Sequence, residues 1–192
     1  SREIEFAWGP LGGGQPRDIA AIELVIAAGP GGEGTVYFED LRLEDTSYYL
    51  TPVATASSAL PGCEPFHIFE ANPATCWRGA ATNEPQQLLI DFLREREYGG
   101  LTICWDPHRP PLAFDIRLSC DGSDWNTCFS AAQGVGRETH VYLPGAVSRF
   151  VCLDLKESLK GEGFGIVSVE VQPHGFSRSI NDFFSAIARR TA

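Results

Sequence analysis

The chain has 192 residues, 43% of them hydrophobic and 21% charged, with a formal net charge of −10 and a pI near 4.8. That composition supports a packed core and argues against disorder. An acidic chain without a basic stripe repels phosphate backbones and anionic bilayers, which excludes nucleic acid and disfavours a membrane surface as partner.

Residues 1–46 read as three strands. Ile4, Phe6 and Trp8 alternate with polar or small residues, Ile22, Leu24 and Ile26 form a second run, and Val36, Phe38, Leu41 and Leu43 a third. Three strands cannot close a sandwich, so this segment is expected to pack on the main domain or on a second copy of the chain. Residues 47–53 read as a linker. From 54 to 173 short apolar alternations recur between turn clusters. Leu88 to Phe92 is nearly continuous, while Leu101, Ile103 and Trp105, Phe114, Ile116 and Leu118, Val151, Leu153 and Leu155, and Val167, Val169 and Val171 each alternate. Turns are expected at Tyr98-Gly99-Gly100, Pro107 to Pro111, Cys120 to Asp124, Gly134 to Gly136 and Gly161 to Gly165. With no helical stretch between them, these runs predict an all-β antiparallel sandwich or barrel of about eight strands.

Residues 174–192 carry the one helical pattern. Ser179 and Asp182 match a capping box, and Ile180, Phe183, Phe184 and Ile187 fall on one stripe that needs a surface to dock on. The six cysteines form no CxxC pair, so zinc and redox motifs find no support. In a domain of this size they read as small buried hydrophobes, with secreted-type disulfides as the alternative. No GxSxG elbow occurs, and His67, His108, His140 and His174 are scattered without metal-ligand spacing. The chain is therefore expected not to be an enzyme.

The stretch Phe69-Glu70-Ala71-Asn72-Pro73-Ala74-Thr75-Cys76-Trp77 resembles the signature loop of the discoidin, or coagulation-factor 5/8 type C, family. Further matches follow in order: Pro85 to Phe92, then Phe114 to Trp125 with its Ser119-Cys120-Asp121-Gly122 core, then Ser148 to Leu153 and Val169-Glu170-Val171. The resemblance covers about residues 54–173. It implies a galactose-binding-like jelly-roll with extra N-terminal strands and a short C-terminal helix, cut from a multidomain protein. More weakly, residues 1–46 resemble the tail of a preceding jelly-roll module.

The same resemblance implies a non-catalytic carbohydrate-binding module that tethers a larger, glycan-active protein, with carbohydrate and neighbouring domains as partners and an extracytoplasmic location. The alternative is a structural or protein-interaction spacer whose ligand site has decayed. It maps a structural calcium site onto Glu70, Asn72, Thr75 and Glu170, although Glu70-Ala71 replaces the usual Asp-Gly. Oxygen donors on a tight loop suit a hard cation. It maps the sugar site onto His108, Arg109 and Phe164, where planar polar groups and an aromatic ring would meet hydroxyls and C–H faces. The glycines around Phe164 are expected to leave that ring exposed or at least free to move, with a cap on the core as its alternative role.

Overall fold

The computed structural model describes Tyr37 and residues 51–190 apart from Ala71, Pro73, Asn83 and Arg178. The chain divides into two units, Ser1–Tyr48 and Tyr49–Ala192. The strands expected in residues 1–46, and the larger part of the 47–53 linker, lie outside the described residues.

The second unit is an antiparallel β structure of seven strands: β1 (Val53–Ala56), β2 (Trp77–Arg78), β3 (Gln86–Trp105), β4 (Pro111–Ser119), β5 (Asn126–Ala131), β6 (Glu138–Ser158) and β7 (Gly165–Gln172). Their order is β2-β7-β3-β6-β4-β5, with β1 also against β3. Two strands, β3 and β6, are far longer than the rest, and each serves both layers of the sandwich. The first half of β3, residues 86–91, pairs with β1 and with 150–155 of β6, which in turn pairs with β4. Its second half, 96–105, pairs with 138–148 of β6 and with β7. The register shifts between Asp91 and Arg96. Leu93 has φ 65° at this corner, and Gly145 has φ 65° where β6 bends alongside. Bends of this kind let one strand turn from one sheet into the other.

This geometry corrects one expectation. No turn forms at Tyr98-Gly99-Gly100; all three are buried inside β3, and the chain bends earlier, at residues 93–95. The seven strands among the described residues agree with the expectation of about eight, and two of them cross between layers.

The core sits between the layers. Leu88, Ile90, Leu101, Ile103, Trp105, Phe114, Ile116, Leu153 and Leu155 are buried as the alternation predicted. Trp105 on one layer meets Phe114 on the other edge to face at 5.0 Å, a favourable arrangement for aromatic pairs. Both core tryptophans satisfy their N–H groups, Trp77 on the Ser58 carbonyl (3.0 Å) and Trp105 on the Thr139 hydroxyl (2.8 Å). On β7 the pattern slips: a bulge at Cys104/Trp105 places Ile166 in the core, while Val167 stays half-buried. All six cysteines are free thiols, from fully buried Cys76 and Cys152 to exposed Cys120.

Helix α1 (Ile180–Arg190) opens with the expected box, Asp182 N–H on the Ser179 hydroxyl (3.1 Å) and that hydroxyl on the Asp182 carboxylate (2.7 Å). Its stripe docks only in part. Phe183 is buried against Tyr142 and Phe176, but Ile180 and Phe184 remain 57% and 62% exposed. The Phe176 ring covers Gly100, where a Cβ would collide with the ring and with the Val141 carbonyl. Gly100→Ala is therefore expected to lower stability by about 2–3 kcal/mol, the cost of overpacking a rigid site. A urea denaturation midpoint unchanged from the parent chain would contradict that.

Candidate functional site

The sandwich has two ends of different character. At one, β3 stops at Trp105, β6 stops at Ser158, and β4 and β7 begin at Pro111 and Gly165. The loops 106–110 and 159–164 meet there with the chain that follows β2. The other end holds the 93–95 corner, the turn after β4, the start of β1 and the finish of β7.

Asp106 organises the first end. It ends a strand whose core side chains pull it inward, so the residue is only 1% exposed. A buried carboxylate is costly unless paired and hydrogen-bonded. Asp106 meets both conditions: Oδ2 takes the Arg78 Nε–H at 2.7 Å, and Oδ1 takes the His108 N–H at 3.0 Å. Burial pushes its pKa upward, but these donors outweigh that and hold the carboxyl below the usual carboxylate range. The backbone closes the same knot. The Asp106 N–H donates to the Gly165 carbonyl (3.0 Å), the Gly165 N–H to the Arg109 carbonyl (2.9 Å), and the Gly79 N–H to the Phe164 carbonyl (2.9 Å). A Cβ on Gly165 would lie 2.6 Å from the Asp106 Cβ, so this approach needs glycine.

The predicted sugar-contacting residues fall on this knot, in different positions. His108 is exposed on the turn. Arg109 is half-buried, with its Nη1–H on the Gly79 carbonyl at 3.3 Å. Phe164 is 0% exposed and belongs to the core, which corrects the expectation of an exposed ring. Its flanking glycines admit the close packing of loops above it instead of freeing the side chain.

Two residues that the sequence reading did not single out complete the end. Arg78 has its Nε fixed on Asp106 while its side chain stays 38% exposed. Its N–H also reaches back to the Cys63 carbonyl. That places it near the helical turn Pro65–Phe69, where Phe66 is a large exposed aromatic, 51% accessible. The signal for Arg78 was its place directly after the signature Trp77.

Of the residues mapped to calcium, three form one turn. The Thr75 hydroxyl donates to Glu70 Oε2 at 3.0 Å, and the Asn72 Oδ1 accepts the Ala74 N–H at 3.0 Å. His67 lies between two carboxylates, its Nδ1 3.0 Å from Glu70 and its Nε2 3.2 Å from Glu64. Hydrogen bonds from His67 and then Thr75 draw the Glu70 carboxyl below its ordinary value. Glu170 is exposed on β7, opposite Thr102. The donors are all oxygen and fit a hard cation chemically, although Glu70 is already engaged by His67. Among the described residues no three His, Cys, Asp or Glu side chains gather as a metal cluster.

The fold and this loop end define a galactose-binding-like β-sandwich module. The family model described as the F5/8 type C domain matches residues 53–170. The chain belongs to that family. Among solved structures it is similar to chitosan-binding module 2 of a chitosanase/glucanase from Paenibacillus sp. IK-5, in complex with chitotriose (22% identity, TM-score 0.60, covering 65% of this chain and 98% of that one). It is also similar to the family 32 carbohydrate-binding module of Clostridium perfringens NanJ in complex with galactose (12% identity, TM-score 0.55, 63% and 93% covered). A Ruminococcus gnavus GH29 fucosidase in complex with fucose matches at 13% identity and TM-score 0.57, over 64% of this chain and 25% of that one. No curated protein matches the chain.

The Asp106 knot makes a prediction of its own. A depressed carboxyl pKa gives stability that is present above the ordinary Asp pKa and lost as pH falls through the folded value. Asp106→Asn is expected to cost about 1–3 kcal/mol at neutral pH, the scale of a lost charged hydrogen bond. The loss should shrink toward the acid limb of a stability-versus-pH curve. A pH-independent difference would assign the knot to packing rather than charge.

Proposed function

We propose that this chain is a non-catalytic carbohydrate-binding module that uses Arg78, His108 and Arg109 at its loop end to hold a glycan and tethers a larger, glycan-active protein to it. The observation that carries this reading is the buried Asp106 carboxylate. It fixes Arg78 at the surface, and the same knot anchors Arg109 through Gly79. Guanidinium groups held in place lose little entropy when they bind hydroxyls, so the rim is preorganised for a polar ligand. Exposed Phe66 is the ring nearest in sequence to this rim that could stack on a sugar face.

Hydrolysis finds no support in the same groups. A glycosidase needs two carboxyl groups roughly 5–10 Å apart across one bond, whereas Asp106 is buried and committed to Arg78. The sugars bound by the two similar modules support carbohydrate as the ligand class. That the fold spans a quarter of a fucosidase chain supports the tethering role, whose gain is effective concentration rather than chemistry. The burial of Phe164 favours the other reading, a spacer with a decayed site, because it removes one expected stacking surface.

Isothermal titration with neutral oligosaccharides separates the two. Binding by the parent chain, weakened about tenfold by Arg109→Gln with little change in melting temperature, supports the module. Phe164→Ala should act differently, lowering stability by about 3–5 kcal/mol as a core truncation. Failure of every saccharide tested would leave the spacer.

Calcium at Glu70, Asn72, Thr75 and Glu170 belongs to the same proposal. Millimolar calcium is expected to raise the melting temperature by linkage to the folded state, and Thr75→Ala to erase that increment. No shift in the parent chain would leave a turn closed by its own hydrogen bonds.

A further inference from the structure

Gly79 and Ala80, which follow β2 and carry the acceptor for Arg109, belong to no strand. Their backbone groups therefore need partners other than a sheet ladder. Ala80 finds both of its partners on side chains. Its N–H donates to the Ser58 hydroxyl at 2.9 Å, and its carbonyl accepts the Gln86 Nε2–H at 2.9 Å. The Ser58 hydroxyl in turn donates to Gln86 Oε1 at 2.8 Å. Three hydrogen bonds thus close a ring around one residue.

The ring fixes its own orientation. Ser58 Oγ already accepts the Ala80 N–H, which leaves its hydrogen for the Gln86 carbonyl oxygen and turns the Gln86 NH2 toward the Ala80 carbonyl. Gln86 opens β3 opposite Leu155 and is only 3% exposed, so water does not readily replace a lost partner. Its carboxamide lies so close to buried Gly79 that a Cβ there would collide with it. Gly163 presses from another side, where a Cβ would collide with the Ala80 carbonyl. The Gly79 carbonyl and the Ala80 N–H belong to one planar peptide group. That group is held at its N–H by the ring, and its oxygen accepts the Arg109 Nη1–H at 3.3 Å.

We propose that Gln86 is a positioning residue for Arg109: with Ser58 it sets the tilt of the 79–80 peptide and so aims the carbonyl on which the guanidinium is anchored. Its effect on glycan affinity rests on the loop-end reading given above. Gln86 acts only through that anchor, since its own amide is committed to Ser58 and Ala80. Without its Nε2–H the Ala80 carbonyl loses its donor and the Ser58 hydroxyl its acceptor, and the peptide is free to rotate. A long side chain released from its acceptor recovers rotamer freedom, which a ligand must then remove again on binding.

The test uses the full chain with Gln86→Met, which keeps the length of the side chain and removes the amide, and Ser58→Ala, which opens the ring from the other side. The guanidinium NMR signal of Arg109, assigned by its loss in Arg109→Gln, is expected to shift in both variants without any sugar present. Galactose and an N-acetylglucosamine trimer serve as binding probes. For the probe that the parent chain binds, Gln86→Met is expected to raise Kd about fivefold. The double variant Gln86→Met/Arg109→Gln should match Arg109→Gln alone, because the two residues act in series. Ile90→Val, a core truncation, should lower stability and leave Kd unchanged. An Arg109 signal that stays in place in both variants would overturn the proposal. So would a double variant whose losses multiply, or an Ile90→Val Kd that rises as much as that of Gln86→Met. If the parent chain binds neither probe, the loop-end reading loses its support, while a shifted Arg109 signal still upholds the positioning by Gln86.

Discussion

Strands β3 and β6 run side by side from the Gln86–Leu155 pair to the Cys104–Glu138 pair, and the other strands are arranged around them. Their antiparallel pairing continues past the corner at Leu93, so one hydrogen-bonded ribbon contributes to both layers. Because the ribbon is continuous, the two layers cannot slide independently. The register that buries Leu88 and Ile90 on one side is tied to the register that buries Leu101 and Ile103 on the other. Trp105 and Phe114 then meet across the interior with defined geometry.

That ribbon also separates the ends. It delivers Trp105 and Asp106 to the loop end, and its bends at 93–95 and 142–147 form the wall of the opposite end. Charge follows the same division. Arg78 and Arg109 surround a carboxylate that is already paired, while Asp121 and Asp124 line a cleft with no basic side chain among the described residues. A chain of net charge −10 thus presents a cation-bearing rim at one end and an anionic cleft at the other.

A buried charge and partly exposed ion pairs contribute differently to this sandwich. Asp106 is taken nearly out of water, and its stability depends on Arg78 and on backbone N–H groups from the adjoining loop. The other ion pairs of the sandwich, such as Arg149 with Asp91 and Arg117 with Asp154, lie on partly exposed faces and contribute little. The loop end is consequently held together by a polar knot rather than by an aromatic platform.

The sequence by itself determined the sandwich, the face of most strands and the helix cap. Period-two alternation at Phe114-Ile116, Val151-Leu153-Leu155 and Leu101-Ile103-Trp105 needs no long-range information, and neither does the Ser179–Asp182 box. The signature residues 69–77 and 114–125 likewise carried the family. What only the tertiary structure decided are the matters that depend on which segments meet. Gly99-Gly100 looks like a turn locally, yet lies inside β3 because the segment pairs with β6 and β7, and Phe176 covers Gly100. Phe164 looks free between glycines, yet is buried because those glycines let the loops 79–80 and 106–109 close over it. Arg78 gained its role only when folding brought Asp106, 28 residues away in the chain, within 2.7 Å. Local patterns report the backbone's own preferences; a buried charge reports its partner, and that partner is chosen by the fold.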